Sequence, residues 1–232
     1  RDAQESRGLG DVYKRQIDRC LSDLRIERIP VLLLTHFHAD HVGGLEGAIN
    51  GREVGQIRVS PLNDPPGTTK FVNEVLASLE KKSMVMTYPE EFVVNGVSFT
   101  CIWPSELILG QGSDANNASV AIAVESNGVS ILLAGDIEPP VQEKIVRDLP
   151  AINFDVIKVA HHGSRYQSSD FAKWASAETA LISVGKDNDY GHPAPETISL
   201  YELTGSQVFR TDLMGDLAIS VKDSQIRVAT RR

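Results

Sequence analysis

Cysteine is nearly absent from this chain of 232 residues. Cys20 and Cys101 stand far apart and match neither a disulfide framework nor a zinc-knuckle spacing, so they read as buried apolar residues with no disulfide partner. Long apolar runs are missing as well. No stretch approaches the ~20 residues needed to cross a bilayer, and no charged-then-apolar leader opens the chain, so the polypeptide as given is expected to be soluble. Basic residues are outnumbered, 23 against 31 acidic, for a formal net charge of −8. That balance excludes a global attraction for nucleic acid or anionic membrane, and any phosphate-binding surface must be local. Internal repeats and low-complexity tracts are absent too. What remains is enough chain for one large domain, or two small ones at most, whose core needs neither disulfides nor structural metal, and one domain is the simpler reading.

Residues Arg1 to Gln16 are polar, contain two glycines and hold no sustained period, so they read as a disordered or foreign arm, with the domain proper spanning 17–232. Ile17, Cys20, Leu21 and Leu24 then fall at helical spacing, and Val31-Leu32-Leu33-Leu34 reads as a central strand. Arg52 to Val59 reads as another strand, and Thr68 as the cap of a helix carrying Phe71, Val72, Val75, Leu76 and Leu79. Two hairpins follow. The first joins Phe92-Val93-Val94 to Val97–Trp103 through Asn95-Gly96; the second joins Ser119–Val124 to Val129–Ala134 and ends in Gly135-Asp136. Pro139 and Pro140 suit the first turn of a helix to about Asp148, and Val156–Val159 is a short strand ending at His161-His162-Gly163-Ser164. Ser169 caps a helix through Trp174, Leu181–Val184 is a strand and Pro195–Leu203 a helix. Gln207–Arg210, Leu217–Val221 and Gln225–Ala229 close the chain as strands. This mixture of hairpins and βα units predicts an α/β (α+β) protein in which helices cover packed sheets.

The six histidines fall in three places, each just past an apolar strand: His36, His38 and His41; His161 and His162; and His192. Loops at the carboxyl ends of strands converge on one site. In the turn after a strand, His36 and His38 can project toward one ion while Asp40 and His41 turn toward a second, with Gly43-Gly44 letting the next helix start close to the metals. Imidazole and carboxylate donors without thiolates suit two divalent ions, Zn²⁺ or Mn²⁺. Asp136, otherwise a helix-capping residue, can bridge two cations at about 3.5–4 Å, and His161 would complete the second ion's shell. His162 reads equally as a ligand or as a residue supporting one. His192 faces substrate or caps the next helix, and the substrate side is favoured. The mechanism expected is metal-assisted hydrolysis in which Asp40 and Asp136 serve the metals and the attacking water. His192, Ser164 or Lys158 would bind phosphate or assist the leaving group, although Lys158 also has a structural reading and Ser164 also reads as a turn terminator. Arg165, Tyr166 and Lys186 form a small cationic rim or simply a solvated face.

Taken together, Thr35–Gly44, Asn116-Asn117-Ala118-Ser119, Leu132–Glu138, Lys158–Ser164, Tyr190-Gly191-His192-Pro193 and Arg210-Thr211-Asp212 resemble the metallo-β-lactamase-like domain at the carboxyl end of ComEC/Rec2 DNA-uptake proteins. The likeness runs from about Ile17 to Val221. It implies an αββα four-layer sandwich, a dinuclear metal site and nuclease action on DNA during competence. It also implies a parent protein of the cell membrane, this domain on the extracytoplasmic face, and a membrane channel portion as its partner. From Val42 to Gly135 there is no histidine, so the first ion is under-ligated, completed by water or approached by Asn117, which also stands among the substrate-binding candidates. That gap points away from β-lactam and thioester hydrolysis. The Gly-Gln-Gly-Asp and Asp-Thr-Gly elements with which such domains begin are not found in Arg1 to Gln16, which predicts a domain truncated at its amino end with an exposed sheet edge. Two further readings stand beside the nuclease: a phosphorylcholine-esterase-like hydrolase of small phosphodiesters, and a catalytically inactive truncated module.

Overall fold

Parallel pairing of apolar runs organises the first part of the chain. In the computed structural model, which describes residues 2–222 and 225–231, strand β1 (Arg28–Leu34) lies beside β2 (Glu53–Val59) with Leu32 opposite Ile57 and Leu34 opposite Val59. Strand β3 (Ser83–Val85) pairs with the far side of β2, giving the order β1-β2-β3. Parallel neighbours cannot be joined by a tight turn, so helices make the connections. The short α2 (Ala39–Val42) and α3 (Leu45–Ile49) link β1 to β2, and α4 (Pro66–Ser78) links β2 to β3. Helix α4 buries Val72, Val75 and Leu76, one face of its turn, in a core with Leu34, Phe37, Val42, Leu45, Val54, Ile57 and Val59.

Three sequence expectations change here. Residues expected as an irregular arm belong to a helix, α1 (Asp2–Asp23). Its last turns are tied down by Arg52, whose guanidinium donates to Asp18 Oδ1 at 2.9 Å, to the Asp18 carbonyl at 3.0 Å and to Ser22 Oγ at 2.8 Å. The Arg52 hydrogen bond also holds the Asp18 carboxyl below its ordinary pKa. Strand β1, expected to be central, is the edge of its described sheet, and β2 is the middle strand. Pro65, not Thr68, takes the cap position of α4, and the Thr68 hydroxyl donates back to the Pro65 carbonyl at 3.2 Å.

The chain divides into two compact units, Arg1–Thr87 and Tyr88–Arg232. In the second unit, β4 (Glu91–Val94) turns into β5 (Val97–Trp103) through Asn95 and Gly96, at φ 53° and 80°. Positive φ at both central residues is what a tight hairpin needs, and Asn-Gly supplies it. After the short α5 (Asp114–Asn117) come β6 (Ala121–Ser126) and β7 (Val129–Leu133), a second hairpin, then parallel strands β8 (Val156–Lys158), β9 (Thr179–Ile182) and β10 (Gln207–Arg210). The sheet runs β10-β9-β8-β7-β6-β5-β4. Helices α6 (Pro139–Asp148), α7 (Ser169–Ala175) and α8 (Pro195–Leu203) make the crossovers. Ser168, one residue before the expected cap, accepts from the Phe171 amide at the start of α7. Buried Trp103, Leu132, Ile137, Ile145, Ile157, Phe171 and Tyr201 fill the core. The chain ends with α9 (Thr211–Met214) and a separate hairpin of β11 (Asp216–Lys222) and β12 (Gln225–Arg231).

Candidate metal centre

In the first unit the donors follow directly from the end of β1. Leu34 and Phe37 are buried, which draws the intervening His36 inward to 1% exposure. His38 begins α2: its carbonyl accepts from the His41 and Val42 amides at 3.0 and 3.1 Å, and the three-residue spacing within that turn returns His41 to the same side. The result is a packed imidazole cluster. His36 Nε2 stands 3.2 Å from His38 Nδ1, and the His36 and His41 rings are 4.0 Å apart. Asp40 Oδ2 lies 3.7 Å from His41 Nε2 on the more exposed side. All four donors expected from the first motif are therefore close together. Gly43 and Gly44 have another role than the one expected. Both are in ordinary right-handed helical conformation, and a Cβ on Gly44 would press on Ile17 of α1 at 2.8 Å, so their smallness admits a neighbouring helix.

In the second unit three parallel strand ends bring a different set together. Asp136 follows β7, is 2% exposed, and has its amide held by Ser119 Oγ at 3.2 Å. Gly135 before it has φ 59°, and a Cβ there would crowd Ser119 at 2.9 Å, so glycine is what lets the chain turn here. His161 and His162 follow β8 in a 3₁₀ turn, and both are left-handed, at φ 48° and 52°, before Gly163 at 77°. Non-glycine residues in that region cost about 1–3 kcal/mol each, and such strain concentrates at functional sites. The turn is held by the His161 amide donating to the Gly135 carbonyl at 3.1 Å.

The twist separates the two histidines. His162 Nδ1 is 2.8 Å from the Ser183 carbonyl beyond β9; a carbonyl only accepts, so Nδ1 carries the proton and Nε2 presents a lone pair. That Nε2 lies 3.3 Å from Asp136 Oδ2. Two acceptors facing each other at that distance require a proton or a cation between them, and a backbone-anchored imidazole beside a buried carboxylate is the usual dress of a metal ligand. The donor set therefore fits a divalent ion. His161 turns elsewhere: its Nδ1 is 3.5 Å from Asn116 Nδ2 and 3.7 Å from Glu138 Oε1. Burial pushes the His161 pKa down, against the pull of Asp136 and Glu138. His192 packs edge-on against it at 5.4 Å, with Tyr190 stacked beyond at 6.1 Å. Burial, then the neighbouring His161 and His162, lower the His192 pKa as well.

The remaining expected residues divide. Lys158 is at the centre, its Nζ 3.4 Å from Asp136 Oδ1 and 3.1 Å from the Gly135 carbonyl. Asn117 is 0% exposed, with its amide donating to the Gln111 carbonyl and accepting from the Glu138 amide, so it braces a loop and offers no surface to substrate. Ser164 is also 0% exposed, its Oγ accepting from the Tyr166 amide, which makes it a turn residue. Arg165, Tyr166 and Lys186 are exposed. Sequence reasoning passed over Glu138, a buried carboxylate that accepts from Asn116 Nδ2 at 2.9 Å and from the Ser113 amide at 3.1 Å. Its position two residues after Asp136 was the available signal.

A family model described as the metallo-beta-lactamase superfamily matches residues 8–185, and the chain belongs to that superfamily and has its fold. Two curated relatives sharpen the placement. The ComE operon protein 3 of Bacillus subtilis is 28% identical over 207 residues, covering 85% of this chain and 25% of its own length. The competence protein ComA of Neisseria gonorrhoeae is 28% identical over 210 residues, covering 88% of this chain and 28% of its own. The chain thus spans about a quarter of these relatives. Among solved structures, CmlA, a diiron β-hydroxylase from Streptomyces venezuelae, superimposes with a TM-score of 0.56 at 16% identity over 88% of this chain and 45% of that one, a likeness of fold.

Proposed function

We propose that this chain is the hydrolytic domain of a competence-type protein and cleaves phosphodiesters, with DNA as the substrate. The observation that carries the reading is the buried Asp136 with His162 on one oxygen and the Lys158 ammonium on the other. A fixed positive charge beside the metal-binding carboxylate suits an anionic diester better than a neutral lactam or thioester. The likeness to two competence proteins supports DNA over other diesters, and with it a membrane-bound parent whose channel portion would be this domain's partner, the domain facing the extracytoplasmic side. No helix among the described residues is long and apolar enough to cross a membrane.

Within the first unit His36, His38, Asp40 and His41, and within the second Asp136 and His162, are donor sets that would each suit Zn²⁺ or Mn²⁺. Bound there, a divalent ion supplies Lewis acidity toward a phosphoryl oxygen and makes water a nucleophile near neutral pH. Asp136 and Asp40 orient that water and accept its proton. His161, braced by Asn116 and Glu138, and His192 beside it, both with pKa lowered by burial, would hydrogen-bond the phosphoryl group or accept a proton there. Lys158 offsets charge on the phosphoryl group. The test compares DNA with a chromogenic small phosphodiester, for the wild type and Asp40→Ala. Metal-dependent DNA cleavage lost in the variant is expected; turnover of the small diester alone would instead favour a small-phosphodiester hydrolase, and no turnover of either an inactive module.

A further inference from the structure

We propose that Tyr190 is a stacking platform for one unpaired nucleobase of the DNA, so that the second unit takes hold of a single strand or a frayed end. The inference rests on the nuclease reading and adds which form of DNA is accepted. Tyr190 is 84% exposed, more than any other aromatic ring among the described residues, whereas Trp103 and Tyr201 are each 1% exposed. A ring that open to water gains by being covered. One side of it already faces the candidate site. The Tyr190 and His192 rings stack at 6.1 Å and 22°, and His192 packs on His161 at 5.4 Å, so three rings run in a row outward from the turn after β8.

The row is held by its loop. Asn188 closes residues 185–192, its Nδ2 donating to the Gly185 carbonyl at 2.9 Å and to the His192 carbonyl at 2.8 Å while its Oδ1 accepts from the His192 amide at 3.1 Å. Just beyond, the Ala194 amide donates to the Gly163 carbonyl at 2.8 Å, which fastens the loop to the turn carrying His161 and His162. A ring presented from an anchored loop loses little freedom on binding. Charge selects what covers it. Asp187 and Asp189 flank Tyr190 and are exposed, with Lys186 the one cation of the loop, so the tip disfavours a phosphate and suits a neutral flat group. A nucleobase is such a group. In a duplex its faces are covered by neighbouring pairs, and only an unpaired base can offer one. Base stacking on an aromatic ring raises affinity about five- to a hundredfold per base without drawing on phosphate charge, which suits a chain of net charge −8.

Fluorescence anisotropy of the full chain with a labelled oligothymidine, against a strand of the same length made of abasic sites, tests this, because the two carry the same phosphate charge. Chelator in the buffer lets binding be read without cleavage. The intact strand is expected to bind at least about fivefold tighter. Tyr190→Ala should bring the intact strand down to the abasic level and leave the abasic strand where it was, and Tyr190→Phe should keep the wild-type difference. Equal affinity of the wild type for both strands, or a Tyr190→Ala that weakens both alike as a structural role would, overturns the inference. Metal-dependent DNA cleavage by the same preparation would then leave the nuclease reading standing. The expected binding pattern without any metal-dependent cleavage would contradict the nuclease reading and leave the stacking contact.

Discussion

At the residue scale, the decisive feature is how each polar group near Asp136 is paired, and that is what the sequence showed least. The spacing of His36, His38, Asp40 and His41 was legible because four donors after an apolar run have few structural uses. Which of His161 and His162 faces Asp136 was not, because it depends on two left-handed residues and on the Ser183 carbonyl from another strand. Asn117, expected at an ion or at substrate, and Ser164, expected at phosphate or as a turn terminator, were not resolved for the same reason: burial is a property of the packed loop. Glu138 gives a prediction here. Glu138→Ala leaves the Asn116 amide and the Ser113 amide without their acceptor, and at about 1–3 kcal/mol per unsatisfied buried group the urea midpoint should fall clearly. Cys101 gives another. Burial, with Glu90 adding to it, pushes its thiol up to about 12 from an ordinary 9.0. Between those values the unfolded chain releases a proton that the folded chain keeps, so this group's effect is to lower stability as pH rises through that window, and none of it is felt below about 9. At pH 8 a thiol reagent should leave Cys101 unmodified until denaturant is added.

Elements were read more reliably than residues. The hairpin turns at Asn95-Gly96 and Asn127-Gly128, the proline-started α6 and α8, and the short apolar strands β8 and β10 all carry local signals that tertiary packing reinforced. Helix α1 and the four-residue α5 carry weak ones. The first has a polar, glycine-containing start, and the second is a single turn set by Ser113 accepting from the Asn116 amide at 3.3 Å. Two substitutions probe element packing. Leu132→Ala, at a fully buried position of β7, should cost about 2–5 kcal/mol by denaturant unfolding. Gly163→Ala places a Cβ 2.7 Å from Pro193 at φ 77°; it should be destabilising by more than the roughly 1–2 kcal/mol of a left-handed alanine and should lower metal affinity by moving His162.

For the molecule as a whole, membership of the superfamily fixes the fold and narrows the chemistry, while the substrate is a matter for experiment. An acidic chain with a net charge of −8 has no long-range attraction for DNA, so binding should rest on a few local contacts and show a shallow salt dependence, checked by titrating an oligonucleotide at several ionic strengths. Asp136 is expected to serve a metal ion in DNA cleavage. The most direct measurement is cleavage of labelled single- and double-stranded DNA by chelator-stripped protein, before and after adding Mn²⁺ or Zn²⁺, for the wild type and Asp136→Asn. Cleavage that appears only with metal and falls at least about a hundredfold in the variant is the predicted result. Absence of cleavage with either metal, or equal cleavage by Asp136→Asn, would contradict it.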